Sequence, residues 1–348
     1  MSALDADVAV VGVGAWGSSA LWRLAQRGVS VIGFDSQSVP NPYGSSHGHT
    51  RLFRVACHEH VDLTPVARRA KELWLELGEA AGQDLLHETG TLSIGPEDGR
   101  AIRNVTKAVA RAGVRVDHYT VDEIRQKWPQ HAHLGDHYIG IMDWEAGFVR
   151  AETSITAAAD QARAHGARIF ERTAVTAIEE DGAGMLVRTA DRTFRVGQVI
   201  LSAGAWMKHL QDLVPLKVVR APMLWWEAAQ DPEAFALENF PSFIRHYDDD
   251  HTIWGHGSTP EAPVKLGPSF DEHSRMITDP DKVLRALRPN LDWATVASVV
   301  EWAVPGLVPS PALAAPCVVT ESPDMQFVIG RDPARPRVIL AAGCSTRS

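Results

Sequence analysis

Cysteine is scarce in this chain. Its three residues, Cys57, Cys317 and Cys344, are odd in number and far apart, with no CxxC pair and no zinc-type spacing. That arithmetic argues against both a disulfide framework and a structural metal, and a cysteine of this kind defaults to a small core residue. Lysine is scarce too, with seven residues in a Lys+Arg total of 34. Positive charge is outweighed: 43 acidic residues leave a formal charge of -9. Phosphate binding needs a basic face, so a nucleic-acid partner is not expected. No apolar run is long enough to cross a bilayer, and the start Met1-Ser-Ala-Leu-Asp lacks the basic and apolar parts of a signal peptide. The expectation is a soluble, cytoplasmic monomer with no membrane partner. No nucleophilic serine is assigned, so hydrolase chemistry has no candidate. His47, His49, Cys57, His58 and His60 cluster in sequence but offer no helical i,i+4 pair or closed ligand set, so no metal site is assigned.

What is present is an ordinary globular composition, 45% hydrophobic over 348 residues, enough for one large domain or two joined closely. Asp7–Val11 is a nearly continuous apolar run, as in a strand buried on both faces of a parallel sheet. A glycine-rich turn, a helix over 15–26 stopped by Gly28, and a second buried strand over 29–34 complete one βαβ unit. Residues 39–54 read as loop. Thr64-Pro65 reads as an N-cap and first turn, followed by helical spacing of Val66, Ala70, Leu73 and Leu77. Strands are predicted over 89–94, 114–119, 174–179, 185–189, 193–196, 198–202 and 337–342. Helices are predicted over 99–112, 151–165 and most of 280–304, with a strand-rich stretch over 218–267.

Gly12-Val-Gly14-Ala-Trp-Gly17 lies between the first strand and its helix. Gly12 permits the tight turn, Gly14 lets backbone approach a pyrophosphate, and Gly17 lets helix and strand pack closely. Phosphates then meet free N–H groups and the dipole at the helix N-terminus. Asp35 ends the second strand, where a carboxylate binds ribose hydroxyls and disfavours a 2′-phosphate. Strand, helix and acid together supply the context the motif needs, but they do not separate FAD from NAD.

The following loop, Gly44-Ser45-Ser46-His47-Gly48-His49-Thr50-Arg51-Leu52-Phe53-Arg54, resembles the glycine–serine–histidine loop and paired arginines of the monomeric sarcosine oxidase and N-methyltryptophan oxidase family. The similarity runs on through Gly90–Pro96, Gly147-Phe-Val-Arg150, Val199–Trp206, Val264-Lys265-Leu266-Gly267 and Cys317–Ile329, nearly end to end. The resemblance implies an α/β protein: an FAD-binding Rossmann-type domain (residues 1–85, 145–215 and 310–348) interleaved with an α+β substrate domain on a mixed sheet (86–144 and 216–309). It implies FAD-dependent oxidation of a secondary amine, such as sarcosine or another N-methyl amino acid, by O2. The products are an imine and hydrogen peroxide, then formaldehyde after hydrolysis.

The resemblance also assigns residues. Cys317 matches the cysteine bonded covalently to the flavin 8α-methyl group, a bond that needs the thiolate and is favoured by nearby positive charge. Lys265 matches the lysine that activates oxygen, where a fixed ammonium stabilises developing negative charge; alternatively it is an edge-strand solubility lysine. Arg54 would take the substrate carboxylate in its planar fork and Arg51 would lie near the flavin ring, although loop arginines are by default surface ion-pair residues. Cofactor contacts are expected from Gly12, Gly14, Gly17, Asp35, Ser45, His47, Arg51, Val175, Gly204 and Cys317.

Some positions depart from the family pattern. Ile253 and Trp254 stand where tyrosines are frequent, Val319 replaces a tyrosine, and Pro268-Ser269-Phe270 stands near an expected histidine. Trp225 and Trp226 add aromatic bulk, so a larger apolar amine than sarcosine is plausible, and aromatic groups can hold a cationic amine. The chain ends Gly343-Cys344-Ser-Thr-Arg347-Ser348 where the family continues with a serine–glycine–histidine–glycine–phenylalanine–lysine segment and a helix. A second reading is therefore a flavin-binding protein with an incomplete site. A third is a nicotinamide-dependent dehydrogenase, which uses only the first motif.

Overall fold

In the computed structural model, which describes residues 3–248, 251–268 and 276–343, the first strand is Ala6–Val11 and its helix is Ala15–Gln26, as read from the sequence. Ser269, Phe270, Cys344 and Arg347, weighed above, lie outside the described residues. Ala6–Val11 pairs in parallel with Val31–Phe34 on one side and Thr193–Leu201 on the other. Arg168–Phe170 and Val338–Ala342 extend this parallel core in both directions. Thr193–Leu201 is one strand rather than the two predicted: its first half closes an antiparallel meander with Gly184–Thr189 and Val175–Asp181, and its second half joins the parallel core.

Period-2 alternation separates the two faces of this sheet. Val10 and Val31 join Leu21, Trp22, Ala158 and Ala162 under the helices Ala15–Gln26 and Ala151–Ala164. Val11, Ile32 and Phe34 join Met185, Val187 and Phe194 on the other face. A strand buried on both sides has no polar face to offer, which is why Val8–Val11 and Val31–Phe34 are continuously apolar.

The second sheet has nine strands and is mixed. Among the described residues, Ser242–His246 with Thr91–Pro96 is its one parallel pairing; the others are antiparallel. One face packs Trp226, Phe243, Ile253 and Leu266 against Val296, Val300 and Ala303 of the helix Ala294–Ala303. The other face carries Met223, Trp225 and Cys317. Leu313–Glu321 pairs with Lys217–Trp225 in this sheet, so the segment 310–348 is divided between the two sheets. A third, small sheet joins Thr50–Phe53, Gly147–Arg150 and Leu86–His87.

Three further local expectations change. The stretch 39–54 is not all loop, because Thr50–Phe53 is a strand. Thr64 is not an N-cap: the helix Leu63–Ala81 starts after Asp62, and Thr64 is fully buried within the first turn. The 280–304 region is helical mainly in its second half, Pro289–Asp292 and Ala294–Ala303.

Two buried arginines lock the helical layer to the large sheet. Arg220 donates to Leu284 O at 2.7 Å and pairs with the equally buried Asp292. Arg245 donates to Ala303 O at 3.2 Å, the last residue of Ala294–Ala303, and to His133 O at 3.1 Å. Its guanidinium also lies over the rings of Tyr247 and Trp302. A cation at the negative end of a helix satisfies orphan carbonyls and the dipole together.

Candidate active site

The glycine turn is built by close contact. Gly12 has φ +92°, and a Cβ there would lie 2.5 Å from Ser202 O. A Cβ on Gly17 would lie 1.8 Å from Gly12 O. Gly14 differs, since its Cβ position meets only Ser46 Oγ, at 3.4 Å. The strand ends therefore need Gly12 and Gly17 for packing, while Gly14 opens the turn outward at the N-cap of Ala15–Gln26. Its N-cap residue offers no side-chain cap and its first turn has no acid; Ser46 Oγ meets Ala15 N, and the remaining N–H groups suit an anion.

Asp35 is buried and fixes the turn: its carboxylate accepts from Val13 N (3.0 Å), Gln37 N (2.9 Å) and Asn41 Nδ2 (3.2 Å). Burial nevertheless raises its pKa, with those three hydrogen bonds opposing. Thr173 N donates to Asp35 O at 2.7 Å, which places Val175, two residues on, at the same end of the sheet. Gly204 has φ +53° with nothing within 4 Å of its Cβ position, and it opens the short 3-10 turn Gly204–His209.

The loop 44–54 connects this turn to the large sheet. Ser46 Oγ accepts from Ala15 N at 3.2 Å, and Ser45 Oγ donates to Val318 O at 2.5 Å. Gly48 and His49 both have positive φ, and their N–H groups donate to the Glu152 carboxylate at 2.5 and 3.0 Å. Arg51 Nη2 donates to Ser45 O at 2.6 Å and lies 3.9 Å from Cys317 Sγ. Ser45, Arg51 and Cys317 are thus one group, although 266 positions separate the arginine from the cysteine.

Lys265 is not at an edge. Its strand, Val264–Pro268, lies between Lys217–Trp226 and Thr252–His256, and the residue is 2% exposed. Nζ donates to Gly48 O and Thr50 O, each at 2.7 Å, and lies 5.2 Å from the centre of the Trp225 ring. Burial pushes its pKa well below the usual lysine value, and Arg51 adds to this, while Cys317 and Glu152 oppose. The Cys317 thiol is likewise pushed up by burial; Arg51 and Lys265 act the other way without overcoming it. The positive neighbours expected from the sequence are present, but desolvation wins in the protein alone.

Arg54 is engaged by its own chain. Nη2 and Nη1 meet the two Glu59 oxygens at 2.7 and 3.0 Å, and Nη1 donates to His58 Nδ1 at 2.7 Å. Burial alone would raise Glu59; Arg54 and His58 outweigh it and hold the carboxyl well below its ordinary range. Asp143 Oδ2 accepts from Val55 N and Ala56 N, which fixes this segment.

Among the aromatic positions, Trp254 packs over Gly267 on the Lys265 side, and Val319 packs near Cys317. Ile253 and Trp226 are in the opposite core, so neither lines the site. His60 accepts from Asp62 N and His58 pairs with Arg54, so the early histidines serve separate contacts. Sequence reasoning missed Glu59, Glu152 and His256. Nothing near Glu152 signals that it reaches Gly48, because that contact spans 104 positions.

The residues fit a flavin dinucleotide on two independent observations. Gly14 leaves an open cradle at a helix N-terminus. His47 Nε2 and Trp225 Nε1 are buried and meet no protein hydrogen-bond partner among the described residues, so each is open to a partner from a ligand or a water. A profile of the FAD dependent oxidoreductase family matches residues 7–348. The chain belongs to that family. Among curated relatives of this FAD dependent oxidoreductase, the N-methyl-L-tryptophan oxidases of Yersinia pestis (strain Pestoides F) and Yersinia pseudotuberculosis (serotype O:1b, strain IP 31758) are 29% identical over 343 residues. The match covers 98% of this chain and 90% of theirs. Solved structures with the same fold include the open form of NikD, an amino acid oxidase of nikkomycin biosynthesis, with TM-score 0.83 and 22% identity over 98% of this chain and 90% of that one. L-proline dehydrogenase from P. horikoshii follows at TM-score 0.82, with 18% identity over 99% and 89%.

Proposed function

We propose that this FAD dependent oxidoreductase is an amine oxidase acting on N-methyl amino acids, the substrate class in the names of its curated relatives. Bound FAD would accept two electrons from the C–N bond and pass them to O2, giving an imine and hydrogen peroxide; water then releases formaldehyde and the demethylated amino acid.

The chain's own residues divide that work. Gly12, Gly14, Gly17 and Asp35 hold the dinucleotide half, with Val175 and Gly204 at the same end of the sheet. Ser45, His47 and Arg51 order the loop against the flavin half. Lys265 is the residue that meets oxygen: its Nζ is fixed by two carbonyls in a site where a cation needs no reorganisation as negative charge develops. Arg54 takes the substrate carboxylate by sharing or displacing Glu59, because its fork is already filled. Trp225 and Trp254 suit an apolar, cationic amine. Cys317 is the residue that would tether the flavin, through a thioether from Sγ. In this reading the sheet built on Ala6–Val11 belongs to the cofactor half and the nine-stranded sheet to the substrate half, with Leu313–Glu321 lying in the latter.

The observation that carries the reading is the grouping of Lys265, Arg51 and Cys317 around one loop that also closes the nucleotide turn. The test is to supply purified protein with FAD, record the visible spectrum, and precipitate with acid, where a yellow pellet reports the covalent bond. Bleaching on anaerobic addition of N-methyltryptophan or sarcosine, with peroxide in air, supports the oxidase. Flavin that binds without bleaching supports the silent binder instead, and protein that takes up no flavin removes both readings.

A further inference from the structure

Lys265 has three nearby acceptors, and the third depends on a residue in the neighbouring strand. Gly48 O and Thr50 O, each at 2.7 Å, satisfy two N–H bonds, as many as a neutral amine can offer. An ammonium has one more, and Thr50 Oγ1 lies at 3.4 Å. That oxygen also lies 2.8 Å from His256 Nε2. The direction of this bond is fixed by the other ring nitrogen. His256 Nδ1 is 2.7 Å from Gly257 O, a carbonyl that can only accept, so Nδ1 carries the proton. In a neutral ring Nε2 then accepts, and Thr50 must donate to it. Donation to His256 turns a hydroxyl lone pair toward Lys265. Without it, the hydroxyl could present its own proton to Nζ, an arrangement that suits only the amine.

The ring is well held. His256 is 2% exposed and stacks on Phe148 with centroids 5.0 Å apart at 19°. Burial, with Lys265 adding to it, lowers its pKa to about 4, so it is neutral at ordinary pH. The charged or titratable groups facing Lys265 are Arg51, Cys317, Glu152, His47 and His256. Two of these meet an oxygen that Lys265 also contacts: Arg51 Nη1 donates to Thr50 O at 2.8 Å, and His256 meets Thr50 Oγ1, the acceptor left for the third ammonium proton.

We propose that His256, acting through the Thr50 hydroxyl, is a positioning residue that favours the ammonium form of Lys265; this rests on the role of Lys265 given above.

The test follows the Lys265 titration in the FAD-loaded full chain by NMR of 13Cε-labelled lysine. Seven lysines keep the spectrum simple, and Lys265→Met assigns the signal. His256→Phe keeps the stacking but cannot accept, so the midpoint should fall by about one pH unit, as for loss of a hydrogen bond to a charged group. Thr50→Val should give the same fall. The double variant should match Thr50→Val alone, and His256→Gln, whose amide oxygen can accept, should recover most of the shift. An unchanged midpoint in His256→Phe would overturn the proposal, as would an equal further fall when Thr50 is already Val. If His256→Phe does not fold, Thr50→Ser against Thr50→Val decides: only the valine should shift the midpoint. The titration needs no turnover, so absence of peroxide would count against the oxidase reading and leave this measurement standing.

Discussion

His47, His131 and His256 are buried as neutral imidazoles, with pKa values lowered to about 4, about 3 and about 4, in each case chiefly by burial. In the unfolded chain they titrate near 6.5. Between those values the unfolded state binds more protons, so stability is complete above pH ~6.5 and is lost as pH falls toward 4. The loss is roughly 2–3 kcal/mol for each ring. His131 packs against Phe240 and Phe243, and its Nδ1 has no partner. His131→Phe should therefore be neutral or stabilising at pH 7 and should weaken the acid dependence by about a third. Urea unfolding at pH 7 and pH 5 checks this; an unchanged slope would contradict it. At this scale the sequence was informative where chemistry restricts the residue type. Gly12, Gly17 and Asp35 follow from the turn they make, and a lysine in an apolar strand stood out in a lysine-poor chain. His256 and Glu152 were illegible, because each matters through one contact far away in sequence.

Buried ions decide how the elements are joined. Asp292 and Arg220 are both fully buried, so Asp292→Asn leaves a guanidinium uncompensated. Destabilisation of about 3–5 kcal/mol is expected, measurable as a lower urea midpoint. Arg245→Met removes the cation that caps Ala294–Ala303 and should cost about 2 kcal/mol. Its effect should fall on hydrogen exchange in that helix before the parallel sheet is disturbed. Long apolar or amphipathic elements such as Ala6–Val11 and Ala151–Ala164 were legible, since their pattern reflects two-sided or one-sided burial. Short ones were not. Thr50–Phe53 is embedded in a segment of loop composition. Leu313–Glu321 contains Pro316, which reads against a strand. Val121–Lys127 is mostly charged; its one local signal is the Thr120 and Glu123 capping box.

At the scale of the whole molecule, the loop 44–54 is the junction. It reaches the nucleotide turn through Ser46, the cysteine strand through Ser45 and Arg51, and the lysine strand through Gly48 and Thr50. A serine–histidine loop could be recognised in the sequence, but its service to both sheets at once is a property of topology. Glu152 holds the loop's positive-φ corner, so Glu152→Gln should loosen it. Flavin affinity should weaken about tenfold while the melting temperature of the flavin-free protein changes little.

The central claim is that the buried Lys265 amine accelerates the step that involves oxygen. Rapid mixing of Lys265→Met and the parent protein separates flavin reduction by substrate from reoxidation by air-saturated buffer. Reoxidation should slow by about 10²–10³-fold, the usual effect of removing one preorganised charge donor, with reduction changed by less than tenfold. Equal slowing of both steps, or reoxidation at the parent rate, would contradict the account.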